Sequence, residues 1–408
     1  MRTKKSLRGH WPAIALITQC AFYSTASSAM RLDEVVETAL QRRPEFSLSQ
    51  ARQAVADRVA ERTDSLLAGE SSINFRHKSD ALGSNDGLRE WAAGVAVPLW
   101  LPGQRNSYRQ LAQGLGAEAE AGHKLLAWEV AGEVRERAWA LRLAQSNRDQ
   151  AETQLAATQA LEREVKRRFE AGELANADWV LARQETLTRQ SLLQQAEASL
   201  EIAVNAWQAY TGLTLLPEPL AEQTARNDAF PASHPLLLNA AGKVEVSRAE
   251  RSRQRIERRA NPNLGLSANR ERPNDQTDYD DYLELTLAIP LGGGRHAGPD
   301  LARAEANLTE AEAALRKTQY ELEHDLEQAR LTLEQTTSAI NLAQQSKDLT
   351  AQSEHLAKRA FELGESDLAS LLRARNRAAD AALELERKRI EHQRAIARYN
   401  QILGVMPQ

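Results

Sequence analysis

Arg168-Phe169-Glu170-Ala171-Gly172-Glu173, running on as LANADWVLAR to Arg183, decides the fold of this chain because it returns later. Its echo is Phe361-Glu362-Leu363-Gly364-Glu365, running on as SDLASLLRAR to Arg375. Phe, Gly, Glu, Ala177/Ala369 and the Ala-Arg pairs recur at one offset of 192 residues, set by Gly172 and Gly364. The same offset relates Pro98-Leu99 to Pro290-Leu291, Trp207 to Tyr399 and Gly212 to Gly404. Anchors at one spacing across most of the chain mean a duplicated half. Each copy reads as long helix, glycine-marked turn, long helix.

Outward from the turns, the helices are long. The first runs from about Gln104 to Phe169 without a proline, which at ~1.5 Å per residue is roughly 100 Å. Its positions Ala119, Gly122, Leu126, Val130, Val134, Ala138 and Leu141 step 3-4-4-4-4-3, the spacing of a nearly straight array. Its counterpart spans about Asp300 to Phe361. There Leu322, Leu326, Ala329, Leu333, Thr336, Ile340 and Ala343 step 4-3-4-3-4-3, a heptad seam. Helices return over Ala177–Tyr210 and Ala369–Leu403.

Before each long helix the period changes to two. Ile73, Phe75 and His77 alternate with Ser72, Asn74 and Arg76. Trp91, Ala93, Val95 and Val97 alternate with small Ala92, Gly94 and Ala96. In the second copy Leu264, Leu266 and Ala268 form one face, and Leu283, Leu285, Leu287 and Ile289 another. Each copy therefore contributes a β-hairpin of membrane-strand length. Trp91, Val95, Val97, Leu283, Leu285, Leu287 and Ile289 are expected to face lipid. Trp91, Trp100, Tyr279 and Tyr282 lie at strand ends, as in an interfacial aromatic belt, with ordinary packing as the alternative. Pro98 and Pro290 end the hairpins, because proline cannot donate to a ladder.

Four such strands cannot close a barrel, and lipid does not tolerate open sheet edges. Three chains would supply twelve strands around a pore and twelve long helices beneath it.

Composition agrees with an elongated helical object. Of 408 residues only 5% are aromatic, too few for a thick globular core. Residues 1–29 read as a signal peptide: Arg2, Lys4, Lys5 and Arg8, an apolar run from Trp11 to Tyr23, then Ser27-Ser28-Ala29. Cys20, the single cysteine, follows Gln19, a poor fit to a lipidation signal. Without that leader 48 Lys+Arg face 56 Asp+Glu, a balance of −8 that argues against a nucleic-acid partner. The organisation is therefore residues 30–216 as first repeat, 217–233 as Pro-rich connector and 234–408 as second repeat.

Chemistry-bearing motifs are missing. No histidine pairs with Cys or carboxylate at metal-ligand spacing, so neither a metal nor a cofactor is expected. Pro290-Leu-Gly-Gly-Gly-Arg295 lacks the GK[ST] of a phosphate loop and reads as a strand-to-helix turn. Enzyme function is not expected.

ALQRRPE near the start, PLW and IPLGGGR after the strands, and the RFEAGE and AFELGE turns together resemble the TolC family of outer-membrane efflux channels. The likeness spans essentially all of the chain beyond the leader, and its length and short outer loops are similar to the heavy-metal branch. The resemblance implies a mainly α fold with a membrane β part: a trimeric twelve-stranded barrel continuing into a periplasmic α-helical tunnel. It implies a homotrimer in outer-membrane lipid, passively conducting substrates from a periplasmic adaptor and an inner-membrane pump of the RND type. By the same resemblance the adaptor docks at the tips, at Phe169, Gly172, Glu173, Phe361, Gly364 and Glu365. The aperture falls at Asp178, Asp367, Ser370 and Arg373. Well-known members are acidic where Ser370 and Arg373 stand, and only the first-copy Asp178 is retained. Both phenylalanines are apolar residues at exposed turns, as expected of either an intermolecular docking groove or local packing, and the groove is the favoured reading. The competing reading is a secreted periplasmic coiled-coil scaffold without transport.

Overall fold

The computed structural model describes residues 30–291 and 297–407. The expected leader with Cys20, and the glycines of the Pro290–Arg295 turn, lie outside the described residues. Among the described residues four strands and seven helices follow one another in two similar halves. The first half is α1 (Leu32–Gln41), α2 (Pro44–Asp64), β1 (Ser72–Ser79), β2 (Arg89–Pro98), α3 (Gln104–Glu170) and α4 (Asn176–Thr211). The second is α5 (Pro235–Ile256), β3 (Asn263–Arg272), β4 (Asp280–Ala288), α6 (Gly298–Glu362) and α7 (Leu368–Ile402).

The break between α1 and α2 follows from Pro44, which takes the first helical position, where its missing N–H costs nothing. Pro235 opens α5 in the same way, and the His234 ring Nδ1 accepts the Leu236 N–H at 3.2 Å. Sequence periodicity did not single out α5. It is the second-half partner of α2, while α1 has no such partner.

One antiparallel sheet has the order β1-β2-β3-β4. Each strand continues into a helix, so the helical layer inherits the lateral order of the sheet: α2 packs on α3, α3 on α5, α5 on α6. Farther along, α4 folds back on α3 and α7 on α6, and the two hairpins meet through α3 and α7.

The core is thin and placed where α1 crosses the body. Leu32, Val35, Val36, Ala39 and Leu40 pack on Val130, Ala131, Val134, Ala138 and Leu141 of α3 and on Trp207 of α4. The α3 array read from the sequence is thus largely inward, and Leu322, Leu326 and Ala329 of the α6 seam are buried as well.

The connector is more than a linker. Arg135 on α3 is 3% exposed and pairs bidentately with Glu222, Nε–Oε1 at 2.8 Å and Nη2–Oε2 at 2.6 Å. Asn400 on α7 donates to the Gln223 carbonyl at 2.9 Å and accepts the Ala225 N–H at 2.9 Å. A buried arginine left without its carboxylate would cost about 3–5 kcal/mol, so these bonds fix the connector against the body. His234 is fully buried beside Trp128, and burial holds its imidazole below the usual histidine range.

Candidate functional site

Two regions carry the surfaces that a channel needs: the sheet and the two helix tips.

In the sheet, register joins the alternations of all four strands into two continuous faces. Ile73, Val95, Leu266 and Leu285 form one rung, and Phe75, Ala93, Ala268 and Leu283 the next. Ile73 is 84% exposed, Leu285 71% and Leu266 55%. An apolar face this large open to water on a soluble protein would be unstable, and its extent marks a surface meant to be covered. The opposite face has Asn74, Gly94, Ser267 and Glu284 on one rung, and Ser72, Ala96, Gly265 and Thr286 on another. Trp91, Val95, Val97, Leu283, Leu285 and Leu287 share the apolar face. Ile289, also exposed, lies one residue beyond β4. β1 and β4 are open edges.

The aromatic belt is corrected in part. Trp91 stacks on His77 at 3.8 Å between ring centroids, on the apolar face. Tyr282 pairs with Asn269 and its hydroxyl donates to Glu271, so it stands on the polar face. Trp100 is folded back, with its indole N–H on the Ser65 carbonyl at 3.2 Å and its ring edge-on to Tyr108. Alternation alone puts Tyr282 on the polar face, while Trp100 lies beyond β2, where alternation says nothing.

At the tips both reversals use one backbone device. Gly172 N–H reaches the Phe169 carbonyl at 2.9 Å and Glu173 N–H the Arg168 carbonyl at 2.9 Å. Gly364 reaches Phe361 at 3.1 Å and Glu365 reaches Ala360 at 2.8 Å. This double bond pattern ends a helix on a left-handed residue. The glycines have φ +80° and +75°, with open space where a Cβ would stand.

The capping acids differ. Asp178, in the first turn of α4, accepts the Ala175 N–H at 3.2 Å. Asp367 is itself the cap of α7 and accepts the Ser370 N–H at 2.8 Å. Ser370, through its hydroxyl and its N–H, holds the Asp367 carboxyl below the usual carboxylate range. Arg373 donates to the Ser370 hydroxyl at 2.8 Å. Asp367, Ser370 and Arg373 thus form one linked group, while Asp178 belongs to the other hairpin.

Of the two readings of the phenylalanines, the structure bears out local packing over a docking groove. Phe361 is 5% exposed and sits in a core with Leu161, Val165, Ala182, Leu368, Leu371 and Leu372, which ties one hairpin to the other. Phe169 is half-buried and stacks parallel on Trp179, with centroids 5.9 Å apart. The exposed apolar groups at the tips are instead Leu363, at 70%, and Val180, at 53%. Sequence reasoning missed both, because each looks like an ordinary helix residue beside a glycine turn. Among the described residues no group of acidic or histidine side chains is arranged to hold a metal, and no helix is long and apolar enough to cross a membrane.

The profile of the outer membrane efflux protein family matches residues 230–405, which is essentially the second repeat. The second repeat therefore matches that family. The matched family and the solved structures that resemble this chain are outer-membrane channels, not enzymes. In three dimensions the chain is similar to the outer membrane protein VceC of Vibrio cholerae, with TM-score 0.73 and 17% identity over 92% of this chain and 96% of that one. It is also similar to the Campylobacter jejuni CmeC outer membrane channel, with TM-score 0.70 and 14% identity over 91% and 85% of the two chains. The open-state MtrE outer membrane channel of Neisseria gonorrhoeae gives TM-score 0.68 and 16% identity over 92% and 89%. No curated protein matches the chain by sequence. At these identities the structural likeness speaks for the fold: mainly helical, with a four-stranded antiparallel sheet.

Proposed function

We propose that three copies of this chain close a twelve-stranded barrel in the outer membrane and conduct solutes passively through it and through a helical periplasmic tunnel. The observation that carries this is the sheet. It is apolar on one face, polar and small on the other, unpaired at both edges, and continuous with roughly 100 Å of helix. Neither open edge could persist in lipid unless another strand paired with it. With the apolar face outward, the polar face of Asn74, Ser267, Glu284 and Thr286 lines a pore. A periplasmic scaffold would have no use for the exposed leucines of β4.

Energy for export would come from an inner-membrane pump, reached through a periplasmic adaptor. The adaptor would meet the tips at Gly172, Glu173, Gly364 and Glu365, all exposed, together with Leu363 and Val180. Phe169 and Phe361 would act by holding those tips in shape. Asp367, Ser370, Arg373 and Asp178 would border the aperture.

Membrane fractionation, unheated gel electrophoresis and planar-bilayer recording test this reading together. An outer-membrane species at three times the chain mass that gives discrete conductance steps is expected. A monomer soluble without detergent, silent in bilayers, would overturn it in favour of the scaffold.

A further inference from the structure

Charges at the hairpin end of the sheet are sorted by face. On the face that carries Ile73, Val95 and Leu285, the last two rungs before the hairpin loops hold His77, Trp91, Arg270 and Asp281, then Ser79, Arg89 and Arg272. Arg270 stands six residues, roughly 20 Å along the strand, from Leu264, so the arginines begin where the apolar rungs end. Of the strand acids only Asp281 shares that face; Glu90, Glu271, Asp280 and Glu284 turn to the other. The sorting is unfavourable within the chain. Arg89 and Arg272 are direct partners across β2 and β3, and like charges set opposite each other destabilise a ladder. Arg89 is exposed, and its side chain has no ion-pair partner among the described residues. Arg270 Nε reaches Asp281 only at 3.6 Å, with both side chains more than half exposed. Arg272 gives Nη2 to Asp275 at 2.6 Å. The Tyr279 ring lies beneath both Arg270 and Arg272, 4.7 and 5.3 Å from guanidinium carbon to ring centroid, and keeps the two groups side by side.

We propose that Arg89, Arg270 and Arg272 bind the phosphate-bearing headgroup of an outer-leaflet lipid, whose acyl chains lie along the apolar rungs toward the helices. The site rests on the barrel reading above, which turns this face to lipid and its hairpin end away from the periplasmic helices. Three observations choose this occupant. First, sign: water at the membrane surface would solvate either charge, but an anion set between Arg89 and Arg272 turns their repulsion into a shared attraction. Second, residue type: a guanidinium presents paired N–H donors that match two phosphate oxygens, which an ammonium does not. All three positions are arginine, and the one lysine of the strands, Lys78, stands on the polar face. Third, continuity: Phe75, Ala93, Ala268 and Leu283 form the rung next to Trp91 and Arg270, so a single amphipathic molecule can touch both. At headgroup level a lipid-facing arginine costs little, which allows the cluster to stand there.

Native mass spectrometry of the full chain, purified as its detergent-solubilised trimer, tests the site with bisphosphorylated lipid A as the probe. The trimer should retain the lipid, and Arg89→Gln or Arg270→Gln should each weaken retention about tenfold, as the loss of one charge-assisted contact. Lys78→Gln, the same change of charge on the opposite face, should leave retention unchanged. Arg89 has no ion-pair partner within the chain, so its substitution should leave the trimer as heat-stable on gels as before. Equal retention by Arg89→Gln and the unsubstituted chain would overturn the site. Equal retention of lipid A stripped of both phosphates would do the same, reducing the contact to its apolar part. Displacement of the lipid by inorganic phosphate would mark a soluble-anion site and also overturn the proposal. A trimer that conducts but retains no lipid A would overturn the site and leave the barrel standing. A chain that forms no trimer would remove the barrel reading and the site with it.

Discussion

Phe361 and Phe169 occupy equivalent positions, one turn before equivalent glycines, and their surroundings have diverged. The first lies in a core drawn from both hairpins, while the second rests on Trp179 of its own hairpin. Asp367 caps its helix from outside and is linked onward to Ser370 and Arg373, while Asp178 closes its cap alone. The backbone reversal has been kept because only a left-handed residue ends a long helix in that way. Side chains around it were free to specialise once one hairpin was anchored. The second tip places its aromatic in the contact between the hairpins, and the first keeps its aromatic within its own hairpin.

The largest effect should separate the two aromatics. Phe361→Ala should cost about 3–5 kcal/mol of local stability, as a buried ring deleted from a shared core. Phe169→Ala should cost roughly 1–2 kcal/mol, since a half-buried ring forfeits only part of that transfer. Hydrogen exchange over residues 361–372 and 161–182 measures both, and equal costs would abolish the distinction between the shared and the local aromatic contact.

The glycines should behave alike where the aromatics do not. With φ near +80° and open space at both sites, Gly172→Val and Gly364→Val should each cost about 1–3 kcal/mol from backbone strain alone. Trimers should survive and capture of the adaptor should weaken. A Gly364→Val cost several-fold larger than that of Gly172→Val, in the same exchange measurement, would reveal a contact at the second tip.

The smallest effect concerns the acids and depends on pH. The Asp367 carboxyl is held low by Ser370, so its capping contribution is present above the ordinary carboxylate range and is lost as pH falls through its lowered value. Asp367→Asn should speed amide exchange at Ser370 at neutral pH, and the difference from the unsubstituted chain should vanish in strong acid. A pH-independent difference would mean that the cap acts by shape and not by charge.

Much of this was legible in the sequence. The 192-residue echo, the alternating strands and the proline-free helices are each local or periodic, and local patterns survive translation into structure. Three features were not legible, for physical reasons. Arg135 reads as a solvated helix charge, because its partner Glu222 sits in a distant connector. Phe361 reads as exposed, because a residue beside a turn gives no sign that another hairpin covers it. Leu342, Leu349, Leu356 and Leu363 read as ordinary positions of a solvated helix, and only their exposure shows that no helix of the same chain covers them.

The central claim is that one face of the sheet meets lipid and the other meets the pore, and two adjacent residues of β4 test it. Leu285→Arg places a charge on the apolar face at a cost of roughly 2–4 kcal/mol near the bilayer midplane, and should strongly reduce trimers in the outer membrane. Thr286→Arg should assemble normally and shift the ion selectivity recorded in planar bilayers, because the proposed barrel turns that side chain toward the pore. Equal assembly of both variants, with identical conductance, would contradict the account.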